Sequence, residues 1–162
     1  MQINISPMLS GAQEQACAEM MAASDPWQTL GFDLPAALRI VCASDRERYV
    51  AHVDGRLAGL LLLNLHGTFA GYIQIIGIAP EFRGQGCGSA LLGFAEERIF
   101  RDLHNVFLCV SSFNHAARRL YARRGYAEVG ELTDFLVAGH SEFLLRKTRG
   151  PKHPGRAAPV LR

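Results

Sequence analysis

Residues Ile75-Ile-Gly-Ile-Ala-Pro-Glu-Phe-Arg-Gly-Gln-Gly-Cys-Gly-Ser-Ala-Leu-Leu92 run from an apolar strand, through a proline, into an Arg-Gly-x-Gly-x-Gly turn that opens a helix. Gly84, Gly86 and Gly88 let the backbone bend tightly, so several N–H groups converge at a helix start whose positive dipole end favours anions. The stretch predicts a phosphate cradle, to which Arg83 can add positive charge. Its spacing excludes the two commonest kinds. No Gly-Lys-Ser/Thr follows, so nucleoside triphosphate hydrolysis has no support. Ser89 stands where a dinucleotide fingerprint has its third glycine, and Asp102 falls in or just after the same helix rather than at the end of a second strand. Taken alone, the loop also reads as a ligand-free turn between strand and helix.

A second element follows about 25 residues later in Val110-Ser-Ser-Phe-Asn-His-Ala-Ala-Arg-Arg-Leu-Tyr-Ala-Arg-Arg-Gly-Tyr126. Asn114 and Tyr121 lie two helical turns apart and face the same way. Ala117 and Leu120 extend an apolar stripe to Tyr121, while Arg118, Arg119, Arg123 and Arg124 fall largely on other faces and Gly125 suits a C-cap.

With both motifs in this order, the chain resembles the GNAT superfamily of acetyl-coenzyme A dependent N-acetyltransferases. The family's Arg/Gln-x-x-Gly-x-Gly/Ala loop is matched by Arg83-Gly-Gln-Gly-Cys-Gly88. Its later pattern is matched by Asn114, Ala117, Leu120, Tyr121, Gly125 and Tyr126. The motifs cover roughly residues 71 to 132, and the flanking pattern looks like the family to about residue 148. The resemblance implies an α/β fold, a central mixed and mostly antiparallel sheet flanked by helices. Its fourth and fifth strands would splay to admit the pantetheine arm of acetyl-CoA.

The resemblance also implies roles. Arg83, Gly84, Gln85, Gly86, Cys87, Gly88 and Ser89 would hold the pyrophosphate, and backbone groups of Ile76, Gly77 and Ile78 would pair with the pantetheine arm like an added strand, with an N–H facing the thioester oxygen. Asn114 would hold the cofactor or cap its helix, two compatible roles. Tyr121 would hydrogen-bond to or protonate the leaving thiolate; as a reference, a phenol has a pKa of about 10 and a thiol about 8.5. Core packing is the alternative for Tyr121. For a general base the family offers a glutamate on the fifth strand, but Cys109 stands there and reads as a buried structural cysteine. Gln74, on the fourth strand where other members carry an acid, cannot abstract a proton.

Glu142 and His140 are therefore the base candidates, although Glu142 also reads as a water-facing strand residue and His140 as a solvated turn residue. The resemblance makes Asp25, Trp27 and Tyr72, with Gln74, candidates for the acceptor side, ordinary loop and packing roles being the alternative. The acceptor expected is a primary amine, a peptide α-amine or a small molecule. With no obvious carboxylate base, a weakly basic α-amine is favoured over lysine. A non-catalytic acyl-CoA binding module and, more remotely, a nucleotide-binding domain are the competing readings.

Farther out, the 162 residues suit one domain over 1–148 and a basic, disordered tail over 149–162. A net charge of +2 gives no reason to expect nucleic acid. Four scattered cysteines suggest neither a zinc site nor a disulfide framework, and no apolar run is long enough for a bilayer, so a cytoplasmic protein without a metal is expected. Family members often dimerise, leaving a homodimer open.

Ser10 and Asp33 are placed to cap two early helices, and Asp54-Gly55 to turn a hairpin between 49–53 and 57–65. Further strands are expected over 71–79, 106–110, 127–132, 135–137 and 142–146. Gly77 and Pro80 suggest a bulge or bend near the end of the fourth strand.

Overall fold

The computed structural model describes residues 2–153. In chain order the elements are β1 (Ile3–Pro7), α1 (Gly11–Ala22), α2 (Leu34–Val41), β2 (Glu47–Val53), β3 (Arg56–Asn64) and β4 (Tyr72–Ile78). A single 3-10 turn (Pro80–Phe82) then leads to α3 (Cys87–Phe100), β5 (Asn105–Ser111), α4 (His115–Arg123), β6 (Ala127–Leu132) and β7 (Glu142–Thr148). The seven strands form one sheet in the order β1-β2-β3-β4-β5-β7-β6, antiparallel throughout except for β4 beside β5.

The helix starts follow local chemistry. Ser10 and Gln13 form a reciprocal capping box at α1, and the Asp33 carboxylate accepts from the Ala36 N–H at α2, with Pro35 in the first turn. β3 explains the unbroken apolar run of 57–65. Leu60 and Leu62 pack under α1 and α2, whereas Leu61 and Leu63 pack under α3, so every side chain of the strand's middle is buried. Each such leucine contributes about 1.5–3 kcal/mol on burial.

β1 has no signal of its own in the sequence. Ile3 and Ile5 alternate with polar residues over only five positions ending in Pro7, which is tolerable because β1 is an edge strand. The expected strand at 135–137 is absent: Phe135 to Val137 are bends, held in a loop where the Asp134 carboxylate accepts from the Gly139 N–H. Of the expected tail, residues 154–162 lie outside the described residues. Arg149 is not loose: its N–H donates to the His104 carbonyl and its guanidinium lies 4.0 Å over the Phe100 ring.

The feature that positions the site is the split between β4 and β5. They pair only at Tyr72–Phe107 and Ile73–Leu108, after which β4 continues to Ile78 alongside β3 alone. At the point of parting, Leu62 faces Ile75 while Leu63 faces Ile73, so Gln74 is an extra residue and forms a β-bulge. The bend thus sits at Gln74 and not at Gly77 or Pro80 as the sequence suggests. A bulge bends and twists its strand, and here it coincides with the divergence.

Gly77 serves a different purpose. A Cβ there would lie 2.7 Å from the Trp27 ring, so the missing side chain lets the indole lie across the strand.

Candidate active site

Beyond β4 the chain enters the glycine turn. Gly84 and Gly86 hold φ of +72° and +88°, and the space a Cβ would occupy is open at both. Their glycine identity therefore answers backbone conformation and not crowding. No side chain caps α3, and its first internal bond runs from the Ala90 N–H to the Gly86 carbonyl. The N–H groups of Cys87, Gly88 and Ser89 are left for a ligand. Cys87 points its side chain inward, packing with Val53, Ala58, Ala79 and Phe82, which anchors the first turn.

Arg83 does more bracing than the sequence suggests. Its Nε donates to the Ile78 carbonyl and its guanidinium NH2 to the Asp25 carbonyl, both at 3.0 Å. The Ile78 carbonyl is thereby already in use, while Ile76 faces the gap between the strands and lines the cleft described next. Gln85 is pinned by a bond from its side-chain amide to the Glu81 carbonyl.

Where β4 and β5 part, a cleft of about 810 Å³ opens, and Trp27, Tyr72, Gln74, Asn114, Tyr121 and Glu142 all line it. Its walls come from both faces of the sheet. Val106, Leu108 and Val110 belong to the core under α3 and α4, so Phe107, Cys109 and Ser111 of the same strand point to the opposite face. Glu142 stands directly across from Ser111 on β7 and shares that face. Tyr121 comes from the α4 side. The strand split joins the two.

Glu142 is not the water-facing residue that its alternation with Phe143 allows. It is 4% exposed, and its Oε1 accepts a short hydrogen bond from the Ser111 hydroxyl. Burial raises its pKa above the ordinary carboxylate value, a rise only partly offset by the Ser111 bond and the neighbouring His140. His140 itself does not line the cleft and stacks edge-on against Phe113 at 4.9 Å. Ser111 was invisible in the sequence as a site residue, because its role depends on the β5–β7 register.

Cys109 is also placed differently from the expectation. It is half-buried and faces the cleft, with its thiol beside the Tyr72 phenol. Burial, the Cys109 thiol and the Glu142 charge all push the Tyr72 pKa up. Burial alone raises that of Tyr121, whose ring meets Tyr126 edge-on at 5.7 Å. Both phenols therefore stay protonated at neutral pH. Asn114 caps α4, its side-chain oxygen accepting from the Ala117 N–H at 3.2 Å. Asp25 is outside the cleft and bonds to Thr29.

Behind the site, Glu96 is buried on α3 and ion-paired to Arg124 at 2.6 Å and Lys147 at 2.9 Å, tying α3 to the end of α4 and to β7. Among the described residues no cluster of three metal-ligating side chains occurs, and no helix is long and apolar enough to cross a membrane.

Residues 13–126 match the model of the family described as Acetyltransferase (GNAT) family. The chain is 32% identical over 151 residues to the N-alpha-acetyltransferase RimI of Mycobacterium tuberculosis, covering 88% of this chain and 90% of that one. It is likewise 32% identical over 115 residues to an uncharacterised N-acetyltransferase of Methanocaldococcus jannaschii, covering 70% of each. In architecture it is similar to the ribosomal-protein-S18-alanine N-acetyltransferase of Escherichia coli, with a TM-score of 0.74, 16% identity and 99% of each chain covered.

Proposed function

Because the chain belongs to the Acetyltransferase (GNAT) family and is an acetyl-CoA-dependent N-acetyltransferase, we propose that Glu142 is its general base and that the Tyr121 hydroxyl stabilises the leaving thiolate by a hydrogen bond. The observation that carries this reading is that one cleft is lined both by a buried carboxylate from one face of the sheet and by a protonated phenol from the other. Acyl transfer to an amine needs both: the nucleophile must lose a proton and the departing thiolate must be stabilised.

The residues present fit acetyl-CoA as substrate. The uncapped N–H groups of 87–89 and the turn at Gly84 and Gly86 suit a pyrophosphate, and β4 beyond Ile73 has no strand on its β5 side, which leaves backbone groups for the pantetheine amides. Acetyl-CoA supplies the activated acyl group; the chain supplies the rest.

A carboxylate held above its usual pKa is a better proton acceptor than an exposed one, so Glu142 takes the proton that the attacking amine must lose. Ser111 keeps one carboxylate oxygen fixed. With its pKa raised, Tyr121 is a reluctant donor of its whole proton but a persistent hydrogen-bond donor, and that role suits a leaving thiolate. The acceptor is a peptide α-amine or a small α-amino compound, whose reference pKa near 8 asks less of a single carboxylate than a lysine near 10.4. The relative named as an N-alpha-acetyltransferase supports this direction. A non-catalytic binding module has no corresponding support.

The test is thiol release from acetyl-CoA with a panel of amines, alongside calorimetry with coenzyme A. Glu142→Gln and Tyr121→Phe each lower kcat and leave the Kd for coenzyme A unchanged. Full activity in Glu142→Gln would remove this carboxylate from the mechanism.

A further inference from the structure

We infer that the acceptor is an α-amine carrying one positive charge and a bulky apolar substituent beside it, selected by Phe69, Phe135 and Leu136. The inference rests on the assignment of this cleft as the acceptor site and adds the chemistry of what enters it. Charge comes first. Among the described residues lining the cleft, Glu142 is the one carboxylate, and neither lysine nor arginine lines it. A single carboxylate matches a single ammonium. A polyamine would bring further charges into the same space without partners, and an acidic side chain would find no lysine or arginine there, so each enters at a desolvation cost.

Three of the uncharged polar groups in the cleft are already engaged. The Ser111 hydroxyl donates to Glu142, the Asn114 side chain caps α4, and the Asn64 side chain accepts from the His66 N–H. What remains open to a ligand is predominantly apolar wall, with Trp27 and Leu30 buried at its back.

The rim carries the selective element. Phe69 is 51% exposed, Phe135 56% and Leu136 45%, yet all three line the cleft. They come from two separate connections, 65–71 and 133–141, that both contribute to the cleft's lining. Large apolar groups gathered at a cavity mouth and left half in water form a contact surface for an apolar partner. Neither connection is slack: Phe69 stacks edge-on against Phe107 at 5.2 Å, and the Asp134–Gly139 bond closes the loop bearing Phe135 and Leu136.

The experiment measures kcat/KM for thiol release with peptides identical except for a first residue of Leu, Ser or Asp, together with leucinamide, an N-terminally blocked lysine peptide and spermidine. The Leu peptide exceeds the Asp peptide, the blocked lysine peptide and spermidine by at least about tenfold. Leucinamide separates a free α-amino compound from a peptide terminus as the source of that chemistry. In the double variant Phe135→Ser, Leu136→Ser, the Leu peptide loses about tenfold while the Ser peptide stays within about twofold and the Kd for coenzyme A is unchanged. Equal turnover of spermidine or the Asp peptide, or an equal loss for every acceptor in the variant, overturns the inference.

Trp27, the chain's single tryptophan, gives a readout independent of chemistry. In the presence of coenzyme A its emission saturates with leucinamide and not with spermidine. If no amine is acetylated but this binding preference holds, the catalytic assignment falls and the acceptor inference stands. If neither leucinamide nor the Leu peptide changes the emission or is turned over in preference to spermidine, the acceptor inference falls.

Discussion

The cradle at 83–89 and the cleft between β4 and β5, which the proposed function joins in one reaction, are built by opposite means. In the cradle the working groups are backbone N–H groups, and side chains such as Arg83, Gln85 and Cys87 hold the turn in shape. In the cleft the groups on offer are side chains from distant segments, Glu142 on β7 and Tyr121 on α4 among them. A backbone site needs only local sequence to set its φ values. A side-chain site needs the whole sheet in register.

The contrast predicts that cleft variants change rate and cradle variants change cofactor affinity. The largest effect is expected for Glu142→Gln, a fall in kcat of about a thousandfold with the Kd for coenzyme A unaltered. The same variant carries a stability signature. Burial holds the carboxyl above its ordinary pKa, so between the unfolded and folded values the native state binds more protons and stability declines as pH rises. Glu142→Gln therefore unfolds at a higher temperature than the parent at neutral pH, and the advantage shrinks toward acid. A carboxylate present for folding would give the reverse in thermal melts.

Next comes Tyr121→Phe, with kcat lower by about a hundredfold and again no change in cofactor Kd. Its buried ring is kept, so the fold is undisturbed and the loss reports the hydroxyl alone. Gly86→Ala should act through the cradle: forcing a Cβ into the left-handed region costs about 1–2 kcal/mol, so coenzyme A binds about tenfold more weakly by calorimetry while kcat at saturation holds. If kcat fell and the Kd did not, the division between the two regions would break.

The smallest effect sharpens the cleft itself. Ser111→Ala removes the hydrogen bond that favours the ionised Glu142, so the carboxyl pKa rises further and the acidic limb of the kcat–pH profile moves to higher pH. Plateau kcat above that limb stays within about threefold. A uniform loss at every pH, without movement of the limb, would mean that Ser111 does not act through Glu142.

Much of this molecule can be read from local pattern. Ser10 and Asp33 cap helices where the sequence places them, and the Asp54-Gly55 hairpin and the 127–132 strand are where the alternation puts them. The failures share a cause. β1 is too short to announce itself, Phe135 to Val137 look like a strand but belong to a bonded loop, and the bulge falls at Gln74 because the β3–β4 register puts it there.

Residue order alone determined the glycine turn, the helix caps, the Asp54-Gly55 hairpin and the family, because each rests on contacts or periodicities within a few turns of chain. Only the tertiary structure decided that Glu142 is buried against Ser111, that Cys109 faces the cleft, and that three exposed apolar side chains from two loops line that cleft. Those facts depend on strand register and on where β4 leaves β5, and cross-strand pairing joins residues too distant in the chain for any local pattern to encode.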